Sequence, residues 1–379
     1  MRTRYSTILI YRILLLLLVI CVAGLAFSGC RAALGAVAGG WSGGTIANGI
    51  LFVGSMEGKL VAANTTDGRL LWAVPLEKPS EGGGGFGCAR GSTAVAIYGS
   101  PAVAEDLVYI GGYNGKIYAF SWDEAREEPR WVYPRQESIG GSIIGGIIFD
   151  QGKLYFGSAN QKVYALNAAD GYKEWDFDTG DKIWSTPVIE GDTLYIGSFD
   201  KKLYAIDTTT GKGKWEFEAE GAIVATPVIY NNTVYFGSFD RYLYAIDATD
   251  GNLRWKFMAE NWFWAKAVVY NDTIYAACLD GKVYALNVES GNKQVEFDLG
   301  GPISSSPVLV DGLLIVTTEE GVIYALDTDS NQKRQLANLE EKVYAPLVAS
   351  QDKVYIHTDT DTLYEVDVRS GAKREIDIK

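Results

Sequence analysis

The chain has 379 residues, 47% of them hydrophobic, and its 47 acidic residues outnumber its 34 basic ones to give a formal net charge of −13. This acidic balance argues against binding to nucleic acid and against electrostatic docking on anionic lipid, since both attract basic surfaces. The single histidine excludes a zinc site built from several histidines.

The first 29 residues have the pattern of a secretory signal. Three arginines precede an apolar run over residues 13–27, which is short for a membrane span. The following Cys30 completes a sequence that resembles a bacterial lipobox, in which the cysteine is lipidated and becomes the new N-terminus. Because Phe27 is an unusual first residue for a lipobox, an uncleaved signal anchor is the alternative. The sequence therefore predicts an extracytoplasmic protein that is lipid-anchored to a bacterial membrane, with residues 30–39 as a flexible tether.

From residue 40 onward the sequence repeats one unit. Residues 181–220 and 221–260 are identical at 22 of 40 positions. One position, here called the index residue, marks eight copies of the unit: Gly54, Gly111, Gly157, Gly197, Gly237, Ala277, Thr317 and His357. A period of this size predicts an array or a propeller, and the absence of polar terminal caps favours the closed ring.

Each copy contains four short strands, which the fourth copy places at residues 183–190, 193–198, 202–207 and 214–218. Their apolar runs predict sheets covered on both faces by neighbours. Four copies have a proline in the first strand, at Pro101, Pro187, Pro227 and Pro307. Proline cannot donate to a β-ladder, so this strand is expected at a sheet edge lining a central channel. The predicted fold is all-β, an eight-bladed β-propeller of four-stranded antiparallel blades over residues 40–379.

Two aromatic columns recur in the copies. Seven positions beyond the index residue, tyrosine stands in seven copies: Tyr118, Tyr164, Tyr204, Tyr244, Tyr284, Tyr324 and Tyr364. Eighteen positions beyond it, tryptophan stands at Trp72, Trp175, Trp215 and Trp255, and Trp131 is displaced by two. The last three copies have Val295, Gln335 and Glu375 instead. The sequence leaves open why these three copies lack the tryptophan.

The repeat resembles that of the quinoprotein-like, or PQQ-repeat, eight-bladed propellers. The run Gly-Ser-x-Asp-x-x-Leu-Tyr-Ala-Ile-Asp, followed by Gly and Trp-x-Phe, lies between Pro187 and Phe217. In that family the enzymes bind pyrroloquinoline quinone over a calcium ion and use adjacent cysteines and a catalytic aspartate. The present sequence has no Cys-Cys pair and no Cys-x-x-Cys-His haem motif. The resemblance therefore implies the fold but not the oxidation chemistry.

The family also has non-catalytic members, among them a lipid-anchored scaffold of the machinery that assembles β-barrel proteins in the outer membrane. Similarity in blade number, lipobox and length implies a monomeric, membrane-anchored, non-catalytic scaffold of the cell envelope that binds a protein partner and needs no cofactor. A surface scaffold in an envelope without an outer membrane is one alternative. A sensor that binds pyrroloquinoline quinone, or a quinoprotein-type oxidoreductase that uses it with calcium, is the other.

A candidate binding surface lies thirteen residues before each index residue, at the start of each first strand. The column reads Trp41, Tyr98, Ile144, Trp184, Val224, Trp264, Ser304 and Tyr344. A long insert between Trp72 and Ile97 contains Phe86 and is expected on the same face. The predicted ligand or partner surface is Trp41, Tyr98, Trp184, Trp262, Trp264, Tyr344 and Phe86. These residues are suited to stacking a planar ligand or gripping a peptide, and the alternative is that they only fill the channel and close the ring.

Other residues with reactive or metal-binding side chains fit structural roles. His357 ends a strand, where packing is its expected role, and a Ser-His-Asp triad is the alternative. The acidic runs 327–331 and 359–361 lack the glycine and glutamate of a calcium loop and are interpreted as turns. A disulfide between Cys88 and Cys278 would require the insert to cross the channel, and the sequence leaves it open.

Overall fold

The computed structural model describes residues 40–78, 94–123 and 128–378. In this part of the protein, 32 strands form eight four-stranded antiparallel sheets. The same part contains no helix with the length and apolar character needed to cross a membrane. The predicted signal, the tether, Cys30, Phe86 and Cys88 all lie outside the described residues.

Each blade consists of four strands that follow one another in the sequence, in the same order as in the sheet. Blade 1 contains β1 (Thr45–Ala47), β2 (Ile50–Gly54), β3 (Lys59–Asn64) and β4 (Leu70–Pro75). Blade 2 contains β5 (Ala102–Ala104), β6 (Leu107–Gly111), β7 (Ile117–Ser121) and β8 (Trp131–Tyr133). Blade 3 contains β9 (Ile148–Asp150), β10 (Lys153–Gly157), β11 (Lys162–Asn167) and β12 (Lys173–Asp178). Blade 4 contains β13 (Val188–Glu190), β14 (Thr193–Gly197), β15 (Lys202–Asp207) and β16 (Gly213–Glu218).

The second half of the ring has the same pattern. Blade 5 contains β17 (Val228–Tyr230), β18 (Thr233–Gly237), β19 (Tyr242–Asp247) and β20 (Leu253–Met258). Blade 6 contains β21 (Val268–Tyr270), β22 (Thr273–Ala277), β23 (Lys282–Asn287) and β24 (Lys293–Asp298). Blade 7 contains β25 (Val308–Val310), β26 (Leu313–Thr317), β27 (Val322–Asp327) and β28 (Lys333–Asn338). Blade 8 contains β29 (Val348–Ser350), β30 (Lys353–His357), β31 (Leu363–Asp367) and β32 (Lys373–Ile376). The predicted eight-bladed propeller is confirmed.

The first strand of each blade is shorter than expected. In blade 4 the ladder starts at Val188, not at residue 183, and Pro187 stands immediately before it. The prolines at 101, 227 and 307 hold the same position before β5, β17 and β25. Because proline has no N–H to donate, pairing begins only after it. The residues before each of these prolines instead run along the channel.

The core lies between blades rather than within them. One cluster, for example, joins Tyr195 and Leu203 of blade 4 to Phe236 and Ile246 of blade 5. The second strands of blades 4 and 5 are buried along their whole length, whereas the fourth strands alternate between exposed and half-buried residues. Each large apolar side chain that is fully buried between blades stabilises the fold by about 1.5–3 kcal/mol. The packing between blades is therefore a main source of stability.

A repeated pair of hydrogen bonds links adjacent blades. The hydroxyl of Tyr195 and the indole N–H of Trp215 both donate to the carbonyl of Ala248 in the next blade, at 3.0 and 3.1 Å. The same arrangement joins Tyr235 and Trp255 to the carbonyl of Val288, at 3.1 and 2.8 Å. The tryptophan column therefore helps to hold each blade that has it to its successor.

Arginine replaces this tryptophan in the last two blades. Arg334 pairs with Ala325 across the sheet, as Trp215 pairs with Ala205, because the bulge in blade 7 lies at a different place from that in blade 4. The Arg334 guanidinium donates to the carbonyls of Arg369 and Val368 in blade 8, at 2.9 and 3.2 Å. In blade 8, Arg374 donates to the carbonyl of Asp67 at 2.7 Å. Counting eighteen positions from the index residue was therefore wrong for these two blades, by one residue.

The ring closes where blade 8 meets blade 1. Leu51 and Val53 of β2 pack in one cluster with Tyr355 and Leu363 of blade 8. The Tyr355 hydroxyl donates to the carbonyl of Thr65 at 3.0 Å, which repeats the link found between other blades. Among the described residues, these two blades share no strand. Closure therefore rests on side chains, without a common β-ladder.

Candidate functional site

The eight residues of the predicted column surround one cavity at the channel mouth. The cavity has a volume of about 250 Å³, and all eight positions line it: Trp41, Tyr98, Ile144, Trp184, Val224, Trp264, Ser304 and Tyr344. A neighbouring cavity of about 230 Å³ shares several of these residues and adds Trp262. Six of the seven candidate residues thus lie on one surface, and the seventh, Phe86, lies outside the described residues.

Short contacts hold the channel segments in place. Ser42 and Ser185, each directly after a channel tryptophan, donate to the carbonyls of Gly99 and Ala225 in the next blade, at 2.9 and 3.0 Å. Gly145 permits the close approach of blades 3 and 4, because a Cβ there would lie only 2.6 Å from the Ser185 carbonyl oxygen. The aromatic column is therefore fixed from below by backbone contacts.

The aromatic side chains form two groups on the two sides of the mouth. In the first, the ring of Trp41 lies 4.7 Å from Tyr98 and 5.5 Å from Tyr344, measured between centroids. Tyr113 extends this group, 5.6 Å from Tyr98, and is 51% exposed. Edge and tilted contacts of this kind are the favoured geometry of aromatic pairs.

The second group spans blades 4 to 6. Trp184 and Trp264 meet edge to face with centroids 6.3 Å apart, although the blade between them contributes only Val224 to the column. Phe239 stacks on Trp262 at 4.5 Å and on Trp264 at 5.4 Å. Phe199 completes the group at 4.7 Å from Trp184.

Tyr113, Phe199 and Phe239 were missed by the sequence analysis. All three stand two positions beyond their index residue, so a signal was available in the repeat. The backbone N–H at this position donates to the carbonyl of a residue just before the aromatic column, as from Phe199 to Lys182 at 3.0 Å and from Phe239 to Ala222 at 2.9 Å. This bond brings the two columns side by side at the mouth.

A cation covers part of the second group. Lys182 Nζ lies 4.3 Å from the ring centroid of Phe199 and 5.0 Å from that of Trp184. A cation over aromatic faces is attracted to their π-electrons, by about 0.5–1 kcal/mol at exposed sites. The mouth therefore combines apolar surface with a positive charge.

Deeper in the channel the lining changes from aromatic to polar. Two residues after the aromatic column the blades contribute Ser100, Thr186, Thr226, Lys266 and Ser306, and these line both the mouth cavity and a second cavity of about 520 Å³. Desolvation by the surrounding protein lowers the pKa of the Lys266 ammonium. The channel thus contains a ring of hydroxyls with one amine.

The channel tryptophans differ from those that join blades. Trp215 and Trp255 donate their indole N–H to a carbonyl. Trp184 Nε1 is buried and has no acceptor in the described part of the protein, and Ser304 Oγ, which also belongs to the cavity lining, is likewise unpaired there. Buried polar atoms are nearly always paired, so these two atoms are available to a partner that enters the cavity.

His357 is buried at the closure of the ring, as the packing interpretation required. Its Nδ1 lies 3.1 Å from the Ser42 carbonyl and its Nε2 lies 2.9 Å from Asp361 Oδ1. The Ser42 hydroxyl donates to carbonyl oxygens instead of to the imidazole. This geometry is not that of a nucleophile and its base.

Cys278 occupies a position that serine holds in blades 3 to 5. Its thiol is fully buried, 3.3 Å from the carbonyl of Asn261 and 3.4 Å from that of Trp262. The hydroxyl of Ser238 contacts the equivalent carbonyls of Gly221 and Ala222. Burial raises the pKa of the thiol to about 12. The pairing of Cys278 with Cys88 stays untested, since Cys88 is outside the described residues.

The channel does not fit pyrroloquinoline quinone bound over calcium. Calcium requires several oxygen ligands, usually with carboxylates among them. Among the described residues, one carboxylate, Glu319, lines the neighbouring cavity at the mouth, and none lines the mouth cavity or the second cavity. Of the acidic runs in the sequence, Asp327 Oδ1 accepts backbone N–H groups of its own turn, from Asp329 and Ser330. Among the described residues, no cluster of three metal-binding side chains is present.

Comparison with known proteins identifies the family. The family model described as outer membrane protein assembly factor BamB matches residues 29–175 and 159–376. BamB of Nitrosomonas eutropha is 28% identical over 130 residues, which are 34% of this chain and 26% of that protein. BamB of Escherichia coli K12 is 30% identical over 95 residues, 24% of each protein. The matches thus span about a quarter of the length of these curated relatives.

Solved structures share the fold over most of the molecule. BamB from Moraxella catarrhalis has a TM-score of 0.69 at 19% identity, covering 85% of this chain and 92% of that one. The computationally designed Ika8 protein has a TM-score of 0.71 at 15% identity, covering 88% and 98%. Such low identities show a common fold alone. The family model, which extends over nearly all of the propeller, shows more: the chain belongs to the family of the outer membrane protein assembly factor BamB.

Proposed function

We propose that this protein is a non-catalytic scaffold of the cell envelope that takes part in outer-membrane protein assembly by binding other proteins at its channel mouth. Family membership supports the assembly role, since the relatives are named outer membrane protein assembly factors. The binding face is supported by the aromatic groups at the mouth.

The observation that carries this proposal is the accessible aromatic surface around Trp262. Trp262 is 43% exposed and stacks on Phe239, which also stacks on half-buried Trp264. Tyr113, 51% exposed, lies in the other aromatic group. Tryptophan and tyrosine are the residues that most often dominate protein–protein binding energy, and clustered exposed aromatics mark interaction sites.

The proposed scaffold needs no catalytic group, and the site supports this. The only histidine of the sequence is His357, which is 3% exposed and belongs to the ring closure, away from the mouth lining. Lys266 is the one titratable amine in the described lining, and it has no acid or base partner there. General acid–base catalysis requires such a positioned pair or a substrate proton within reach.

The proposed placement of the protein follows from its first 39 residues. Residues 1–29 would be removed as a lipoprotein signal, Cys30 would be lipidated, and residues 30–39 would connect the lipid to a monomeric propeller over residues 40–379. Labelling cells with a fatty-acid analogue tests this, with Cys30→Ser as the variant. Loss of both label and membrane association is expected, and label retained in Cys30→Ser would contradict the anchor.

Photo-crosslinking tests the binding face. A photoreactive amino acid at position 262 is expected to capture, in native membranes, a component of the outer-membrane assembly machinery that mass spectrometry identifies. The matched control is position 214, on the exposed outer strand β16. Equal capture at both positions would contradict the choice of face.

A second experiment tests the role itself. In the native host, deletion of the gene is expected to lower the amount of folded outer-membrane β-barrel protein, which migration of unheated samples on gels reports. The wild-type gene should restore it, and Trp262→Ala with Phe239→Ala should not. Unchanged barrel proteins after deletion would overturn the assembly role.

A further inference from the structure

We propose that the polar ring below the aromatic mouth is a binding site for a carboxylate attached to an aromatic group, with Lys266 as the ion-pair partner. This inference goes beyond the scaffold function and does not depend on it. It assigns a ligand class to the channel, where the proposed function concerns only the outer face.

The first step is the position of Lys266. The ring of residues that includes Ser100, Thr186, Thr226 and Ser306 lines both channel cavities, so it lies where the two meet. Lys266 is the one charged side chain of the described residues in either lining. A molecule entering from the mouth therefore reaches a single positive charge after the aromatic layer.

The second step is that this charge lacks a partner. Most lysines in the strands of the blades have an acidic neighbour, as Lys162 of β11 has Asp176 at 2.6 Å. Lys266 Nζ has no ion pair or hydrogen bond with any residue that the structure describes. The side chain is open to solvent inside the channel, and surrounding protein removes part of its hydration. An unpaired cation in a channel lining that contributes no carboxylate attracts an anion.

The third step is the supply of hydrogen-bond donors. Thr186 Oγ1 accepts the backbone N–H of Gly146 at 2.7 Å, and Ser306 Oγ accepts that of Lys266 at 3.1 Å. Neither hydroxyl donates to an acceptor in the described residues, so each keeps a proton to offer. With the ammonium group they supply the charge-assisted hydrogen bonds that a carboxylate accepts.

The fourth step is the shape and size of the space above. The mouth cavity of about 250 Å³ lies just below the usual range for ligand sites, about 300–1,000 Å³. Its walls include Trp184 and Trp264, which meet edge to face and give the cavity an aromatic lining. One aromatic ring with one acid group fits this volume and this single charge. A phosphate, which carries about two negative charges near neutral pH, would normally require further donors or a second cation.

The ligand can come from two sources, a free aromatic acid and the C-terminus of a protein that ends in an aromatic residue. Phenylacetate is the probe for the first, with phenylacetamide as its neutral counterpart and acetate as the acid without a ring. A short peptide ending in phenylalanine, with a free or an amidated C-terminus, is the probe for the second. Isothermal titration calorimetry on the purified propeller with its N-terminal region measures each affinity.

We expect saturable binding of phenylacetate at millimolar concentrations or below, with phenylacetamide and acetate each weaker by about tenfold or more, which is 1.4 kcal/mol. In Lys266→Met the preference for the acid over the amide should disappear. This variant keeps the length of the side chain and removes a charge that has no partner among the described residues, so its thermal stability should not fall. Lys212→Met is the control, because Lys212 is exposed between β15 and β16 and lines neither channel cavity.

The peptide arm identifies the source. Binding of the free peptide but not of the amidated one, with the same dependence on Lys266, assigns the C-terminus of a protein. Binding of phenylacetate alone assigns a free acid. The proposal is overturned if no probe binds saturably, if acid and amide bind equally, or if a folded Lys266→Met protein keeps the preference for the acid.

Discussion

His357 Nε2 lies 2.9 Å from Asp361 Oδ1, and the same carboxylate oxygen accepts the backbone N–H of Met56 at 2.8 Å. The imidazole thus connects the last blade to the first, since its Nδ1 contacts the Ser42 carbonyl. His357 and Asp361 are 3% and 6% exposed. The only histidine of the protein is therefore part of the joint that closes the ring.

Replacing His357 should weaken this joint. In His357→Ala the Asp361 carboxylate and the Ser42 carbonyl lose a buried partner, which costs about 1–3 kcal/mol of unfolding free energy. Chemical denaturation monitored by tryptophan fluorescence measures the change. His357→Gln keeps one polar group and should recover part of the loss. An unfolding midpoint unchanged in both variants would show that the joint does not depend on the imidazole.

Trp255 and Trp262 should differ in what their substitution changes, stability for the first and partner binding for the second. Trp255 donates to the Val288 carbonyl and packs between blades, so Trp255→Ala should lower the unfolding free energy by about 3 kcal/mol. Trp262 is an exposed residue of the mouth, so Trp262→Ala should change it by less than about 0.5 kcal/mol while reducing partner capture. A large stability loss in Trp262→Ala would place that residue in the structural core instead.

Arg374 should be sensitive even to lysine. Its guanidinium donates to the Asp67 carbonyl and, at 2.7 Å, to Glu365, which lysine's single ammonium cannot reproduce with the same planar geometry. Arg374→Lys should cost about 1 kcal/mol in thermal or chemical unfolding. Arg69→Lys, at an exposed position in blade 1, is the comparison and should cost nothing measurable. Equal effects would argue against a specific role of Arg374 at the joint.

The Asp176 carboxylate should give the protein an acid-sensitive contribution. Hydrogen bonds from Lys162 and Lys173 lower its pKa in the folded state. A depressed folded pKa stabilises the protein above the unfolded value of about 3.9, and this stabilisation is lost as the pH falls through the folded pKa. Because the ion pair is partly exposed and screened, Asp176→Asn should lower the unfolding free energy by only about 0.5–1 kcal/mol at neutral pH. This loss should become progressively smaller as the pH falls below about 3.9.

Denaturation curves at several pH values check this sign. Asp178→Asn is the matched control, since Asp178 also pairs with Lys162, at 2.9 Å, but its side chain is 79% exposed. A difference between wild type and Asp176→Asn that grows on acidification would contradict the assignment.

Most of the fold could be predicted because it is written in the sequence eight times. The spacing of glycine, tyrosine and tryptophan in residues 181–260 fixes strand number and turn positions. The aromatic column from Trp41 to Tyr344 was likewise visible, since one residue per blade recurs at one depth of the channel.

The features that could not be predicted depend on register and on contacts between blades. In blade 7 a shifted β-bulge places Arg334, not Gln335, in the position that tryptophan holds in other blades. No residue pattern in the sequence of blade 7 predicts this shift. Phe199 and Phe239 recur at one position of the repeat, but only the backbone bonds to Lys182 and Ala222 show that this position lies beside the first aromatic column. The isolation of Lys266 is a property of the whole ring, because it depends on what seven other blades do not contribute.

The construction of each blade from adjacent strands also bears on how the molecule folds. Every β-ladder joins neighbouring segments, whereas the bond from Met56 to Asp361 spans 305 residues. Contacts between distant parts of a polypeptide carry the larger entropic cost and set the slow steps of folding. The individual blades are therefore expected to fold early and in any order. The contact between blade 8 and blade 1, which closes the ring, is expected to form last.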